Sequence, residues 1–205
     1  MKAIITGLVL AFASLTTQAA VQSKAVEYKD GDASLTGYLY WDDAIQGPRP
    51  GVMVVHEWWG LNDYAKKRAA MLAELGFVAF AVDMYGTGYV TTKPDEARAW
   101  MQEITSDVDA WRARALAGLE QLKASGMVAG DNVAAIGYCF GGGTVLHMAY
   151  ANAPVKGVVA YHSSLPAAPE EAKGQIGPQI LVLHGQGDAW VKPEVITNFR
   201  DKLQE

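Results

Sequence analysis

Eight residues constrain this chain more than any others: Ile136-Gly137-Tyr138-Cys139-Phe140-Gly141-Gly142-Gly143. They join a short apolar run, 132–136, to a stretch, 144–150, that can continue as helix, so the spacing predicts strand, sharp turn, helix. Gly137 and Gly141 stand two before and two after Cys139. Such a turn holds its apex residue in strained backbone geometry while strand and helix pass close together, and it needs small residues at those two places. Cys139 is the chain's one cysteine. At a helix N-terminus the dipole favours its thiolate, and free backbone N–H groups can bind an oxyanion. The pattern therefore predicts a nucleophile. Without the flanking glycines, the stretch would read as a buried structural cysteine before a glycine-rich phosphate loop. The phosphate loop is disfavoured, because Gly-x-x-x-x-Gly-Lys-Ser/Thr does not occur here.

A chain of 205 residues, 50% hydrophobic, is long enough for one substantial α/β core and short for two. Its net charge of −5 comes without acidic or basic blocks, which argues against a nucleic-acid surface. The histidines at 56, 147, 162 and 184 are scattered and a single cysteine makes no sulfur site, so no metal and no cofactor is expected. Residues 1–20 have the form of a secretory signal peptide. Lys2 supplies the positive start, an apolar stretch from Ala3 to Leu15 is too short to span a bilayer, and Thr17-Gln18-Ala19-Ala20 offers small residues for cleavage. The expectation is a periplasmic or secreted protein with no membrane span in its mature part, in which residues 21–205 form a single domain.

Two strand-like runs, 25–28 and 34–40, flank an Asp-Gly turn and predict an antiparallel hairpin. The runs 51–55, 77–82, 132–136, 155–161 and 180–183 are apolar without alternation, as strands covered on both faces are. Between them lie predicted helices. The first is capped by Asn62 or Asp63 and runs to Leu75, with Ala65, Ala69, Leu72 and Leu75 on its inner side. Others cover 94–102, 106–122 with Trp111, Ala115, Leu119 and Leu122 inward, the helix after the elbow, and 194–204 after Pro193. Strands alternating with helices imply a mostly parallel sheet with right-handed crossovers and helices on both faces. The glycine-containing loop 83–92 leaves the carboxyl end of a strand, where loops usually build sites.

Four ordered blocks resemble the dienelactone hydrolase family, an α/β-hydrolase-fold branch with cysteine in place of serine: Val54-Val55-His56-Glu57-Trp58-Trp59-Gly60-Leu61-Asn62, Ala81-Val82-Asp83-Met84-Tyr85-Gly86, Gly137-Tyr138-Cys139-Phe140-Gly141-Gly142, and Leu183-His184-Gly185-Gln186-Gly187-Asp188. The resemblance implies that Cys139 is the nucleophile, Asp188 the triad acid, and Glu57 a carboxylate lying against the resting thiol. It also implies an oxyanion hole built from the backbone N–H groups of Phe140 and Trp58, and His56 and His184 kept for loop structure. The implied reaction is hydrolysis of a small carboxylic ester or lactone through an acyl-enzyme.

The chain departs from the family pattern in two ways. The family's histidine follows the acid by roughly thirty residues, past Glu205. The expectation is thus a truncated chain, lacking the last strand, the histidine loop and the closing helix, and with negligible turnover by itself. No arginine follows Asp83-Met84-Tyr85, where dienelactone-cleaving members hold the substrate carboxylate, so the expected substrate is a small ester or lactone rather than the dienelactone itself. Two rival readings stand beside the hydrolase. One is a non-catalytic protein of this fold that binds a small ligand or partner. The other is a redox thiol, which lacks a resolving cysteine.

Overall fold

The computed structural model describes residues 21–204; the expected signal peptide at 1–20 lies outside them. Seven strands form one sheet in the order β1-β2-β4-β3-β5-β6-β7. The hairpin is longer than the sequence predicts: β1 (Val21–Asp30) and β2 (Ala33–Asp42) pair antiparallel over their full lengths. Gly31 makes the turn in left-handed geometry, at φ 57°, a region that costs other residues about 1–2 kcal/mol. β2 then pairs antiparallel with β4 (Val78–Val82). All other neighbours are parallel: β3 (Arg49–Val55) with β4 and β5 (Val128–Tyr138), β5 with β6 (Gly157–Tyr161), and β6 with β7 (Gln179–Leu183). The mostly parallel α/β sheet with its antiparallel entry is the arrangement the sequence pattern implies.

Helix α1 (Asp63–Glu74) lies over β2, β3 and β4 on one face. Asn62 caps it, Oδ1 accepting from Ala65 N–H at 3.1 Å. Its buried stripe is Ala65, Ala69 and Ala73, four residues apart. Leu75 was expected on that stripe but is 75% exposed. It occupies the C-cap, outside the helical phase, and turns away from the sheet. The opposite face carries α3 (Val108–Ala124) and α4 (Phe140–Tyr150), with α2 (Pro94–Thr105) packed on α3. Asp107 lies outside α3 as its cap, accepting from Asp109 and Ala110 N–H. Helix α5 (Pro193–Gln204) sends Phe199 into this second layer, alongside Leu165 and Ala172.

Helices do cover both faces, but unequally. On the α1 side, registers bring Ile136, Val159 and Leu181 into one row and Tyr138, Tyr161 and Leu183 into the next. Among the described residues no helix covers the end of these rows, and Leu181 and Leu183 on edge strand β7 are 52% and 46% exposed. Among the described residues no helix is long and apolar enough to cross a membrane.

Candidate active site

The carboxyl ends of β3, β4, β5, β6 and β7 converge on one rim of the sheet. Cys139 sits at its centre, between β5 and α4, with φ 54° and ψ −108°. A non-glycine residue in that region is strained, and surrounding structure must hold it there. Here the hold is explicit. The Cys139 N–H donates to Tyr161 O at the end of β6 (2.8 Å), and Gly143 N–H donates to Cys139 O at 3.2 Å as α4 begins. A methyl group on Gly137 would overlap the Gly141 carbonyl, and one on Gly141 would overlap the Val55 carbonyl of β3. Both glycines are needed for close approach of strand to helix and of helix to the next strand.

The sulfur's environment differs in one respect from the sequence expectation. A helix N-terminus was expected to favour thiolate, and the Phe140 N–H at the sulfur does act in that direction. Burial acts against it more strongly, and the negative charges of Glu57 and Asp188 add to burial. The net result is a thiol pKa raised above its ordinary value. The resting group at neutral pH is therefore the thiol. Glu57→Gln removes one of the opposing charges and is expected to lower the pH midpoint of Cys139 alkylation by iodoacetamide, with faster labelling at neutral pH. A midpoint that stays put or rises would show that the carboxylate does not act on the sulfur.

Two loops wall the sulfur. The loop after β3 begins with His56, which is fully buried. Its Nε2 accepts from Met84 N–H at 3.3 Å, and its Nδ1 contacts Glu57 O at 2.5 Å. Burial lowers its pKa to about 4, so the ring is neutral, with one nitrogen accepting and the other donating. His56 thus clamps the loop carrying Glu57 and Trp58 to the loop after β4. Asp83 organises that second loop. Its carboxylate is buried and accepts from Thr36, Tyr85 and Gly86 N–H at 3.1, 3.1 and 2.9 Å. Loop 83–92 is also tied to Trp59 and Gly60 by a bridge from Gly60 to Val90 and by Thr91 N–H donating to Trp59 O at 3.1 Å. The Tyr85 ring lies 5.3 Å from Phe140. Burial and the neighbouring Cys139 charge push its hydroxyl pKa up.

Asp188 follows β7. One carboxylate oxygen, Oδ1, accepts from Trp190 and Val191 N–H at 2.6 and 3.1 Å. Those two bonds, led by Trp190, hold its pKa below the usual carboxylate value, with His162 and His184 contributing in the same direction and burial opposing. The other oxygen, Oδ2, faces His162 Nε2 at 2.8 Å and His184 Nε2 at 3.5 Å, the two rings stacked 6.0 Å apart. Sequence reasoning named Asp188 but did not place His162 beside it. The signal was there only once strand order was known. β6 and β7 are adjacent and parallel, and His162 N–H donates to Leu183 O at 3.0 Å, so the residues just past both strands fall side by side. Among the described residues no hydrogen bond joins His162 to the Cys139 sulfur. His147 lies on α4 against Trp111, their rings 4.6 Å apart, with its pKa lowered to about 4 by burial and by Arg112. It is no base for Asp188.

Cys139 opens into a cavity of about 290 Å³ walled by Met101, Thr105, Trp111, Phe140, His147, Ser164 and Pro166. Glu57, Cys139, Phe140 and Asp188 are thus brought to one place: a thiol, a backbone donor at its sulfur and two carboxylates within electrostatic reach. Chemically, such a set can host a thiolate nucleophile and stabilise an acyl oxyanion. No cluster of three or more metal-ligating side chains occurs among the described residues.

Residues 35–205 match the model of the dienelactone hydrolase family. The chain belongs to that family. A solved structure titled as a dienelactone hydrolase-like promiscuous phosphotriesterase from metagenomic libraries is 40% identical, with a TM-score of 0.87 over 90% of this chain and 77% of that one. "Protein usf" of Aquifex pyrophilus is 30% identical over 60% of this chain and 54% of its own length. A Bradyrhizobium sp. protein named "Probable 2-oxo-3-(5-oxofuran-2-ylidene)propanoate lactonase" is 28% identical over 78% of this chain and 68% of its own. The chain thus spans about half to two thirds of the curated relatives it matches. These matches place the chain in the dienelactone hydrolase family, with the α/β-hydrolase fold.

Proposed function

We propose that this dienelactone hydrolase-like protein cleaves small carboxylic esters or lactones through a covalent thioester on Cys139. The observation that carries the reading is the strained elbow: a sulfur held at φ 54° at the N-terminus of α4, beside the Phe140 N–H and within reach of two carboxylate charges. As substrate enters, the Cys139 thiol gives its proton to the Glu57 carboxylate beside it, the thiolate attacks the carbonyl carbon, and the displaced electron pair settles on oxygen. Phe140 and Trp58 N–H groups hold that oxyanion, a contribution of about 3 kcal/mol per donor to the barrier. Collapse of the intermediate expels the alkoxide, which takes up the thiol's former proton, and leaves the acyl group on sulfur. Water then attacks the thioester, giving one proton to an imidazole oriented by Asp188; the imidazolium hands that proton to the departing thiolate, which restores the thiol, and the carboxylic acid leaves and loses its remaining proton to solvent. Glu57 keeps the resting sulfur protonated until substrate enters.

Asp188 Oδ2 is the oxygen that would orient this imidazole, and His162 meets it at 2.8 Å. The family resemblance instead puts the base later in the chain than the acid. His162→Ala separates the two: slowed deacylation with unchanged acylation assigns the base to His162, and unchanged deacylation assigns it elsewhere. The substrate is a small molecule with a neutral or weakly polar acyl part. The lactonase name of the Bradyrhizobium protein and the phosphotriesterase activity named for the metagenomic one belong to those proteins, and they bracket the ester chemistry that this scaffold accommodates. Export to the periplasm or beyond is part of the proposal and rests on the pattern of residues 1–20.

The test is mass spectrometry after incubation with p-nitrophenyl acetate. An adduct of one acetyl group on Cys139 is the expected result. The rival reading, a binding protein without chemistry, draws on no imidazole being bonded to the sulfur among the described residues and predicts no adduct.

A further inference from the structure

The cavity beside Cys139 has walls that say what it can hold. Trp111 and Phe140 stack with rings 5.7 Å apart and only 13° from parallel, and together with Met101 and Pro166 they make its surface largely hydrocarbon. Polar atoms in the wall are neutral, the Ser164 hydroxyl among them. The Thr105 hydroxyl is already committed to Met101 O at 2.8 Å. The Trp111 N–H donates to Thr144 at 3.0 Å, away from the opening. His147 is uncharged above about pH 4. At about 290 Å³ the space exceeds the roughly 150 Å³ that accepts benzene in a dry apolar cavity, leaving room for a ring and a short substituent.

Charge settles what that group is not. Among the described residues no arginine or lysine lines this cavity. Arg112, whose charge His147 feels, lies not in this wall but in that of an adjoining cavity on the other side of His147, where Asp107, Asp109 and Glu171 surround it and Asp109 pairs with it at 3.5 Å. Arg114 is held by Asp30 at 2.6 Å and by Met84 O at 3.3 Å. Meanwhile Glu57 and Asp188 place two negative charges near the sulfur. A substrate carboxylate here would lose its hydration, gain no cation, and face two like charges.

We infer that this cavity is the specificity pocket of the site, that it takes an uncharged aromatic group, and that the preferred substrates are neutral aryl-bearing esters rather than carboxylate-bearing lactones. The inference rests on Cys139 being the proposed nucleophile, and it parts from the anionic lactone named for the Bradyrhizobium relative.

Alkylation of Cys139 reads the pocket directly, since the thiolate displaces iodide and the new S–C bond traps whatever group the cavity admits. N-benzyl-2-iodoacetamide, iodoacetamide and iodoacetate are compared by intact mass, each rate divided by its rate with N-acetylcysteine. The benzyl reagent is expected to be favoured over iodoacetate by about tenfold or more, the scale of one unscreened contact between like charges. A ratio near one overturns the inference while leaving an accessible nucleophile in place. If none of the three reagents labels Cys139, the hydrolase reading falls and the pocket assignment falls with it. Thr105→Arg puts a cation in the wall and is expected to raise the relative iodoacetate rate about tenfold; no rise in a variant with an unchanged melt counts against the inference. Independently of any substitution, phenylacetamide is expected to slow iodoacetamide labelling and phenylacetate to leave it unchanged; equal protection by both overturns the charge argument.

Discussion

Alanine at Cys139 is expected to abolish the burst of p-nitrophenol that the native protein releases from p-nitrophenyl acetate, slowing acylation by about four orders of magnitude or more, roughly 5 kcal/mol of barrier. The size follows from the position. The backbone at 139 is fixed by Tyr161 and by the first turn of α4, so removing the sulfur leaves the proposed oxyanion donors and the cavity in place and deletes only the proposed nucleophile. The control is a thermal melt. An unchanged melting temperature with the burst gone assigns the loss to chemistry. A persisting burst would move the nucleophile elsewhere and remove the basis for the acyl-enzyme.

Alanine at Gly137 is expected to act on the fold, lowering stability by at least about 3 kcal/mol. The added methyl would overlap the Gly141 carbonyl, which is backbone inside a helix and cannot swing aside as a side chain tip can. Relief requires α4 to lift from β5. That move would disturb Val145, Leu146 and Ala149, all fully buried, and would carry Cys139 with it. Gly31 gives the contrast. It too has a backbone that disfavours side chains, but nothing lies within 4 Å of its would-be methyl, so alanine there should cost only about 1–2 kcal/mol. Urea unfolding midpoints of the two variants read the difference. Equal losses would mean that the elbow is not as tightly packed as described.

The parts of this structure legible from residues alone were those governed by local rules. The elbow could be read because Gly-x-Cys-x-Gly is a spacing with a steric cause. The first helix could be read because Asn62 caps it and alanines recur on one side, although the inward assignment of Leu75 failed where the helical phase ended. What stayed hidden depends on neighbours distant in sequence. His162 and Asp188 meet because β6 and β7 are adjacent, which no local pattern states. The direction of the Cys139 shift needed the burial of the sulfur and the positions of Glu57 and Asp188, and the dipole argument by itself pointed the other way. Asp83 looked like a residue at a strand end, and its three backbone bonds emerge only when loop and hairpin are seen together.

The bridge between Gly60 and Val90, with Thr91 bonded to Trp59, fastens the segment bearing the proposed Trp58 donor to the segment bearing Met84 and Tyr85. Neither can be displaced alone. Laboratory evolution that reshapes residues 83–92 to welcome a new molecule would therefore tug on the amide awaiting the oxyanion. Gains in recognition and changes in speed would arrive together in such variants, and a library that randomises both segments at once should escape that trade-off sooner than one confined to either.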